Sequence, residues 1–181
     1  NQYTVLNANR ASKSYQIDLY DFATLEKVST LFDTKNHAEI TSIDSYTFDT
    51  NEKKISIATN SNPIFRHLFT ADYFVYDITT KKVSKFSNNQ VQNPTFSADG
   101  TKICYAFEND LYVYDFISNA TLQITNDGKK NHIINGITDW VYEEEFAFVR
   151  AYDWNASGNK IAYIKFDETE VPEFSMDMYN L

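Results

Sequence analysis

A single cysteine, Cys104, stands in the 181 residues, so no disulfide can close within the chain and no cysteine-based metal cluster can assemble. Glycine and proline are scarce, at 4 and 3, which excludes collagen-like and Gly/Pro-rich low-complexity organisation. Histidine occurs only at His37, His67 and His132, without the surroundings of a catalytic triad. No apolar run approaches the ~20 residues that a membrane-spanning helix requires. Positive charge is also short. Sixteen Lys and Arg against 25 Asp and Glu leave a formal net charge of −9, which argues against nucleic acid and against an anionic membrane surface as partners. The opening residues, Asn1-Gln2-Tyr3-Thr4, do not read as a signal peptide, and a processed chain would look the same.

What is plentiful is aromatic. Thirteen Tyr and 14 Phe help bring aromatics to 16% and hydrophobics to 43%, enough for a substantial core and too much for a disordered tail. These residues fall in period-two runs: Ser14-Tyr15-Gln16-Ile17-Asp18-Leu19-Tyr20, Lys54-Ile55-Ser56-Ile57-Ala58 and Asp110-Leu111-Tyr112-Val113-Tyr114. Alternation with β-branched and aromatic side chains predicts strands.

Two turn signatures repeat. The first runs from an aromatic through a polar turn to a basic strand start. It appears as Phe48-Asp49-Thr50-Asn51-Glu52-Lys53-Lys54-Ile55, as Phe96-Ser97-Ala98-Asp99-Gly100-Thr101-Lys102-Ile103, and as Trp154-Asn155-Ala156-Ser157-Gly158-Asn159-Lys160-Ile161. The second is Tyr-Asp closing a strand, at Tyr20-Asp21, Tyr76-Asp77 and Tyr114-Asp115. The Phe48, Phe96 and Trp154 starts lie 48 and 58 residues apart, against ~40–50 residues for a propeller blade. An insertion in the second interval explains its length. The expected fold is all-β: about three to four four-stranded blades of a β-propeller occupying 1–181, with a short helical insertion. A β-sandwich is the alternative, but it does not need one turn signature at blade-like spacing. A partial ring exposes blade edges, which invites association, a homodimer being one form of it.

The insertion carries Asp139-Trp140-Val141-Tyr142-Glu143-Glu144-Glu145, three carboxylates directly behind two large rings. Rings seek burial and acids seek water, so Trp140 and Tyr142 are expected to pack and anchor a dense negative site. Such a site suits an amine or a small cation. No oxygen-rich loop with EF-hand spacing accompanies it, so no metal and no cofactor is expected. Taken alone, a glutamate triplet is most simply a solvated helix start. Cys104, in an alternating strand, reads as a small buried hydrophobe. Asn119-Ala120-Thr121 and Asn155-Ala156-Ser157 fit the glycosylation sequon, which matters only in a eukaryotic secretory pathway.

The run Asn135-Gly136-Ile137-Thr138-Asp139-Trp140-Val141-Tyr142-Glu143-Glu144-Glu145, its continuation from Trp154 to Tyr163 and then Phe166 to Pro172, and upstream Phe65-Arg66-His67 with Thr70 to Asp77 together resemble the propeller domain of the dipeptidyl peptidase IV family of prolyl-specific serine exopeptidases. The resemblance runs from about Ser45 to the C-terminus. It implies an eight-bladed propeller joined to an α/β-hydrolase domain, with substrate between them. It implies that Glu144 and Glu145 bind the free α-amino group of a peptide, that Arg66 contacts a backbone carbonyl, and that Glu143 is the less direct member of the triplet. It also places the catalytic serine, aspartate and histidine in the hydrolase domain. No Gly-x-Ser-x-Gly elbow occurs among Gly100, Gly128, Gly136 and Gly158, so the chain is expected to be inactive alone and to partner that domain of the same protein. The parent would release Xaa-Pro or Xaa-Ala dipeptides. A non-catalytic protein-binding propeller and a prolyl tripeptidyl peptidase are the competing readings. A single cysteine in an enzyme acting on peptide ends fits a bacterial periplasm, or a secreted or cell-surface location.

The chemistry suits a site that measures from a free amino terminus. A protonated amine offers three donors and one charge. An ion pair at ~4 Å contributes about 4 kcal/mol at an effective dielectric near 20. A neutral internal amide would leave paired acids repelling each other. Consecutive helical residues point ~100° apart, so adjacency alone does not make Glu144 and Glu145 converge. Arg66 supplies a fork of donors to an oxygen, although an acid such as Asp72 could simply pair with it.

Overall fold

The computed structural model describes residues 1–175. Its strands form successive antiparallel sheets. The first holds β1 (Gln2–Asn9), β2 (Ser14–Asp21) and β3 (Lys27–Asp33), followed by a single 3-10 turn at Thr34–Asn36. The second holds β4 (Ser45–Phe48), β5 (Lys54–Pro63), β6 (Phe69–Asp77) and β7 (Val83–Lys85) in sequential order. The third repeats that meander with β8 (Gln92–Phe96), β9 (Lys102–Phe107), β10 (Asp110–Asp115) and β11 (Ala120–Gln123). Beyond it lie β12 (Ile133–Asn135), helix α1 (Trp140–Phe146), β13 (Tyr152–Trp154), β14 (Ile161–Tyr163) and β15 (Lys165–Asp167). There β13 pairs with β14 and β12 with β15.

The repeated signatures turn out to be the same turns. In the first, the residue after the aromatic caps the hairpin with its side chain. Asp49 Oδ1 accepts from Lys53 N and Lys54 N, Ser97 Oγ from Lys102 N, and Asn155 Oδ1 from Asn159 N and Lys160 N, all at 2.7–3.0 Å. Four residues after the aromatic the backbone turns left-handed, at φ +54° for Glu52, +69° for Gly100 and +65° for Gly158. Glycine meets that demand without a Cβ clash; Glu52 meets it with strain. In the second signature, Asp21, Asp77 and Asp115 accept backbone N–H bonds from the turn that follows, and Leu25, Lys81 and Asn119 sit at φ +54° to +59°. Hydrogen bonds to the backbone hold the Asp21 and Asp115 carboxyls below the usual carboxylate range.

These turns place each sheet in register with a blade. The first sheet matches the last three strands of a four-stranded blade, the next two are whole, and β13–β14 are the first two strands of another. The cores sit between sheets rather than inside one. Ile17, Phe32, Ile55 and Ile57 pack between the first and second, and Ala58, Tyr73, Val75, Ile103 and Tyr105 between the second and third. Cys104, Ala106, Leu111, Ile137 and Tyr152 fill the space beyond. Because both faces of β5 and β9 are covered, Ile55 through Thr59 and Ile103 through Ala106 are buried without interruption. The alternation seen in the sequence there separates two packed faces, not a dry face from a wet one. Cys104 is fully buried and its thiol pushed up to about 12 by desolvation, as expected of a small hydrophobe. The Tyr152 hydroxyl lies 2.8 Å from the Cys104 carbonyl oxygen, and Trp154 Nε1 donates to Thr95 O at 3.0 Å, so the last blade is stitched to the one before it.

Candidate functional site

The acidic stretch forms a seven-residue helix, too short to stand alone in water. Local signals define its ends. Asp139 caps it by accepting from Tyr142 N at 2.9 Å, and Ala147 closes it at φ +51° with its N–H bonded to Glu143 O. The segment before it is anchored to the third blade. Asn135 Nδ2 donates to Asp110 Oδ1 at 3.1 Å and to Asp127 Oδ1 at 2.9 Å, while Gly136, at φ +73°, lies against the Leu111 side chain so closely that any Cβ would collide with it. Ile137 bridges Arg150, and Asn93 Nδ2 donates to Val149 O at 2.7 Å. The helix thus hangs between two fixed stems.

Its burial is the reverse of that expected. Trp140 is 55% exposed and Phe146 70%, whereas Glu143 is 0% exposed. Tyr142 keeps partial packing, with ring centroids 5.2 Å from Phe166, but the rings do not anchor the segment. The Glu143 carboxylate does. Oε1 accepts from Leu68 N at 3.0 Å and also from His67 N, both on the turn that joins β5 to β6. Oε2 is buried with no partner among the described residues. A carboxylate taking two backbone N–H bonds reaches deep across an interface that an indole could not satisfy.

That grip brings two of the three predicted residues together. Arg66, at the tip of the β5–β6 hairpin, places Nη2 2.6 Å from Glu144 Oε1, with the arginine side chain 66% exposed and the glutamate 21%. The alternative partner, Asp72, is engaged elsewhere, by Lys85 Nζ at 3.1 Å and Asn60 Nδ2 at 3.2 Å. Glu145 is exposed and makes no ion pair among the described residues. One turn of helix therefore aims Glu143 inward, Glu144 across to the hairpin tip and Glu145 outward. His67 contributes its backbone rather than its ring.

Beside the hairpin tip lies a cavity of about 710 Å³ bordered by Phe65, Leu68, Asp139, Trp140 and Glu168. Burial, followed by the nearby Asp139 charge, raises the Glu168 carboxyl. Among the described residues, no group of three or more His, Cys, Asp or Glu side chains could hold a metal ion. No described helix is long and apolar enough to cross a membrane.

Antiparallel blades with an inserted acidic helix define a segment of a β-propeller. The chain belongs to the dipeptidyl peptidase IV (DPP IV) N-terminal region family, which it matches over residues 49–181. Among its relatives, dipeptidyl aminopeptidase B of Saccharomyces cerevisiae is 34% identical over 97% of this chain and 21% of that protein. Dipeptidyl peptidase 4 of Felis catus is 36% identical over 77% of this chain and 19% of that protein. The crystal structure of Porphyromonas gingivalis dipeptidyl peptidase 4 superposes with a TM-score of 0.85 at 30% identity, covering 97% of this chain and 27% of that one. The chain thus spans about a fifth of the length of these curated relatives.

Proposed function

We propose that this chain is the substrate-recognition part of a serine exopeptidase that releases dipeptides from the N-termini of peptides, with Xaa-Pro or Xaa-Ala ends preferred. Glu144 and Glu145 receive the protonated α-amine, and Arg66 holds a backbone carbonyl. The bond is cut by a hydrolase domain of the same protein, against which the propeller places the substrate. The observation that carries this reading is the Arg66–Glu144 contact at 2.6 Å, which joins the two candidate groups across separate blades. Arg66 satisfies one Glu144 oxygen and keeps further guanidinium donors in solvent, so a carbonyl can approach without breaking the pair. The amine then takes the second Glu144 oxygen and draws in the solvent-facing Glu145, adding charge-assisted hydrogen bonds that an internal amide cannot offer. A periplasmic, secreted or cell-surface location suits such substrates.

The test is turnover of a chromogenic Xaa-Pro substrate by the intact protein and its Glu144→Ala and Glu145→Ala variants. Each is expected to lower kcat/KM at least ~100-fold, the scale of losing a charge-assisted contact to the substrate. Near-parental turnover in both would falsify the proposal. Acetylating the substrate amine should cost about as much as either variant, and efficient cleavage of the blocked peptide would point to an endopeptidase. Faster release from Xaa-Xaa-Pro than from Xaa-Pro would instead mark a tripeptidyl enzyme.

A further inference from the structure

We propose that Glu143 is a positioning residue for this site, acting through Arg66. The inference rests on the reading of Arg66 and Glu144 as substrate-binding groups and assigns the third acid a distinct task. Among the described residues, the β5–β6 tip is closed internally only by Ile64 N and Phe65 N bonding to Leu68 O, at 2.8 and 3.2 Å. Residues 66 and 67 lie at the apex, and the Arg66 side chain is mostly in solvent, so apolar packing does not fix it. Glu143 takes the backbone N–H groups of the two residues directly after Arg66. Its neighbour Glu144 takes the Arg66 guanidinium. Backbone and side chain of the arginine loop are therefore held by consecutive residues of one helical turn, and the distance between hairpin and helix is set by the length of a glutamate.

The burial of Glu143 supports a task beyond stability. It is 0% exposed, pairs with no cation among the described residues, and leaves Oε2 without a partner there. Burying a carboxylate in that state is costly. On the same helix, Trp140, Val141 and Phe146 remain in water, so apolar side chains were at hand for the inward position. A carboxylate there provides two directional bonds to a specific piece of backbone, which an apolar contact does not.

The experiment is steady-state kinetics of the intact protein on a chromogenic Xaa-Pro substrate, with thermal midpoints measured alongside. Glu143→Ala is expected to raise KM about tenfold and to change kcat by less than about twofold, the pattern of lost substrate positioning ahead of an intact chemical step. Glu143→Gln keeps the Oε1 acceptor and should recover most of that loss. Glu143→Asp keeps the charge with a shorter reach and should raise KM several-fold, which leaves a readout if the alanine variant does not fold. In an Arg66→Ala background, Glu143→Ala should add less than about twofold, because a residue acting through Arg66 has nothing left to place. The inference is overturned by an unmoved KM in Glu143→Ala, or in Glu143→Asp where the alanine variant does not fold. It is overturned equally by full additivity with Arg66→Ala, or by lower thermal midpoints in the alanine and glutamine variants with KM unchanged. If Glu144→Ala and Glu145→Ala also turn over normally, the substrate reading falls with it. If Glu144→Ala fails while KM holds in the Glu143 variants, this inference falls alone.

Discussion

The β8–β11 blade and the α1 helix are opposite solutions to holding a short segment in place. The blade buries Cys104, Ala106 and Leu111 and seals its turns with residues two to five positions away. The helix leaves Trp140 and Phe146 in water and buries Glu143, whose partners are 75 and 76 residues distant. Apolar burial stabilises the blade and is non-directional. The helix is located by a few directional bonds, which add little stability but fix an orientation. The scaffold is robust and repetitive, whereas the site is singular and rests on few contacts.

The sharpest way to break this contrast is to remove apolar volume from each region. Leu111→Ala should cost about 2–5 kcal/mol, since Leu111 is fully buried and also supports Gly136. Phe146→Ala, at an exposed position, should stay within about 0.5 kcal/mol. Urea midpoints of the intact protein measure both, and equal losses would erase the distinction. The equivalent turns give a smaller, signed comparison. Gly100→Ala should destabilise by about 1–2 kcal/mol, because φ is +69° and a Cβ would come within 2.5 Å of Asp49 Oδ2. Glu52→Gly at the matching left-handed position should gain up to about 1 kcal/mol. Two losses would mean that the turns are not equivalent.

The smallest expected effect is in acid. The Ser97 hydroxyl, then Thr101 N–H, hold the Asp99 carboxyl down at about 2. An unfolded aspartate titrates near 3.9, so the folded state holds its proton less tightly. Stability from this turn is complete above about pH 4 and is lost as pH falls towards 2. Asp99→Ala should lower the thermal midpoint slightly at pH 7, where this contribution is present, and flatten the acid limb between those values so that variant and parent converge towards pH 2; an unchanged limb would assign acid loss elsewhere.

The same contrast explains what could be read from the sequence. Turns such as Phe96-Ser97-Ala98-Asp99-Gly100 are legible because their partners lie within a few residues and glycine or a capping side chain marks the geometry. The helix is legible as an acidic insertion, and family resemblance singles out Arg66, Glu144 and Glu145 as its candidate groups. Which glutamate faces inward is not legible, because that depends on backbone N–H groups of His67 and Leu68 that carry no side-chain signal. The rings of Trp140 and Tyr142 suggested an anchor by hydrophobicity alone. The sheet of β12 and β15 is not legible in the sequence, because three-residue strands show no period.

The Glu143 bonds also order the assembly of the chain. The acidic helix has no inward partner until the β5–β6 hairpin exists, and its stems dock on Leu111, Asp110 and Asn93 of the following blade. In a stack where each unit leans on its neighbours, the helix is therefore expected to settle after both whole blades. A lesion in the β5–β6 hairpin, far from the acids in sequence, is therefore expected to release the inward grip on the acidic helix without touching any residue of it.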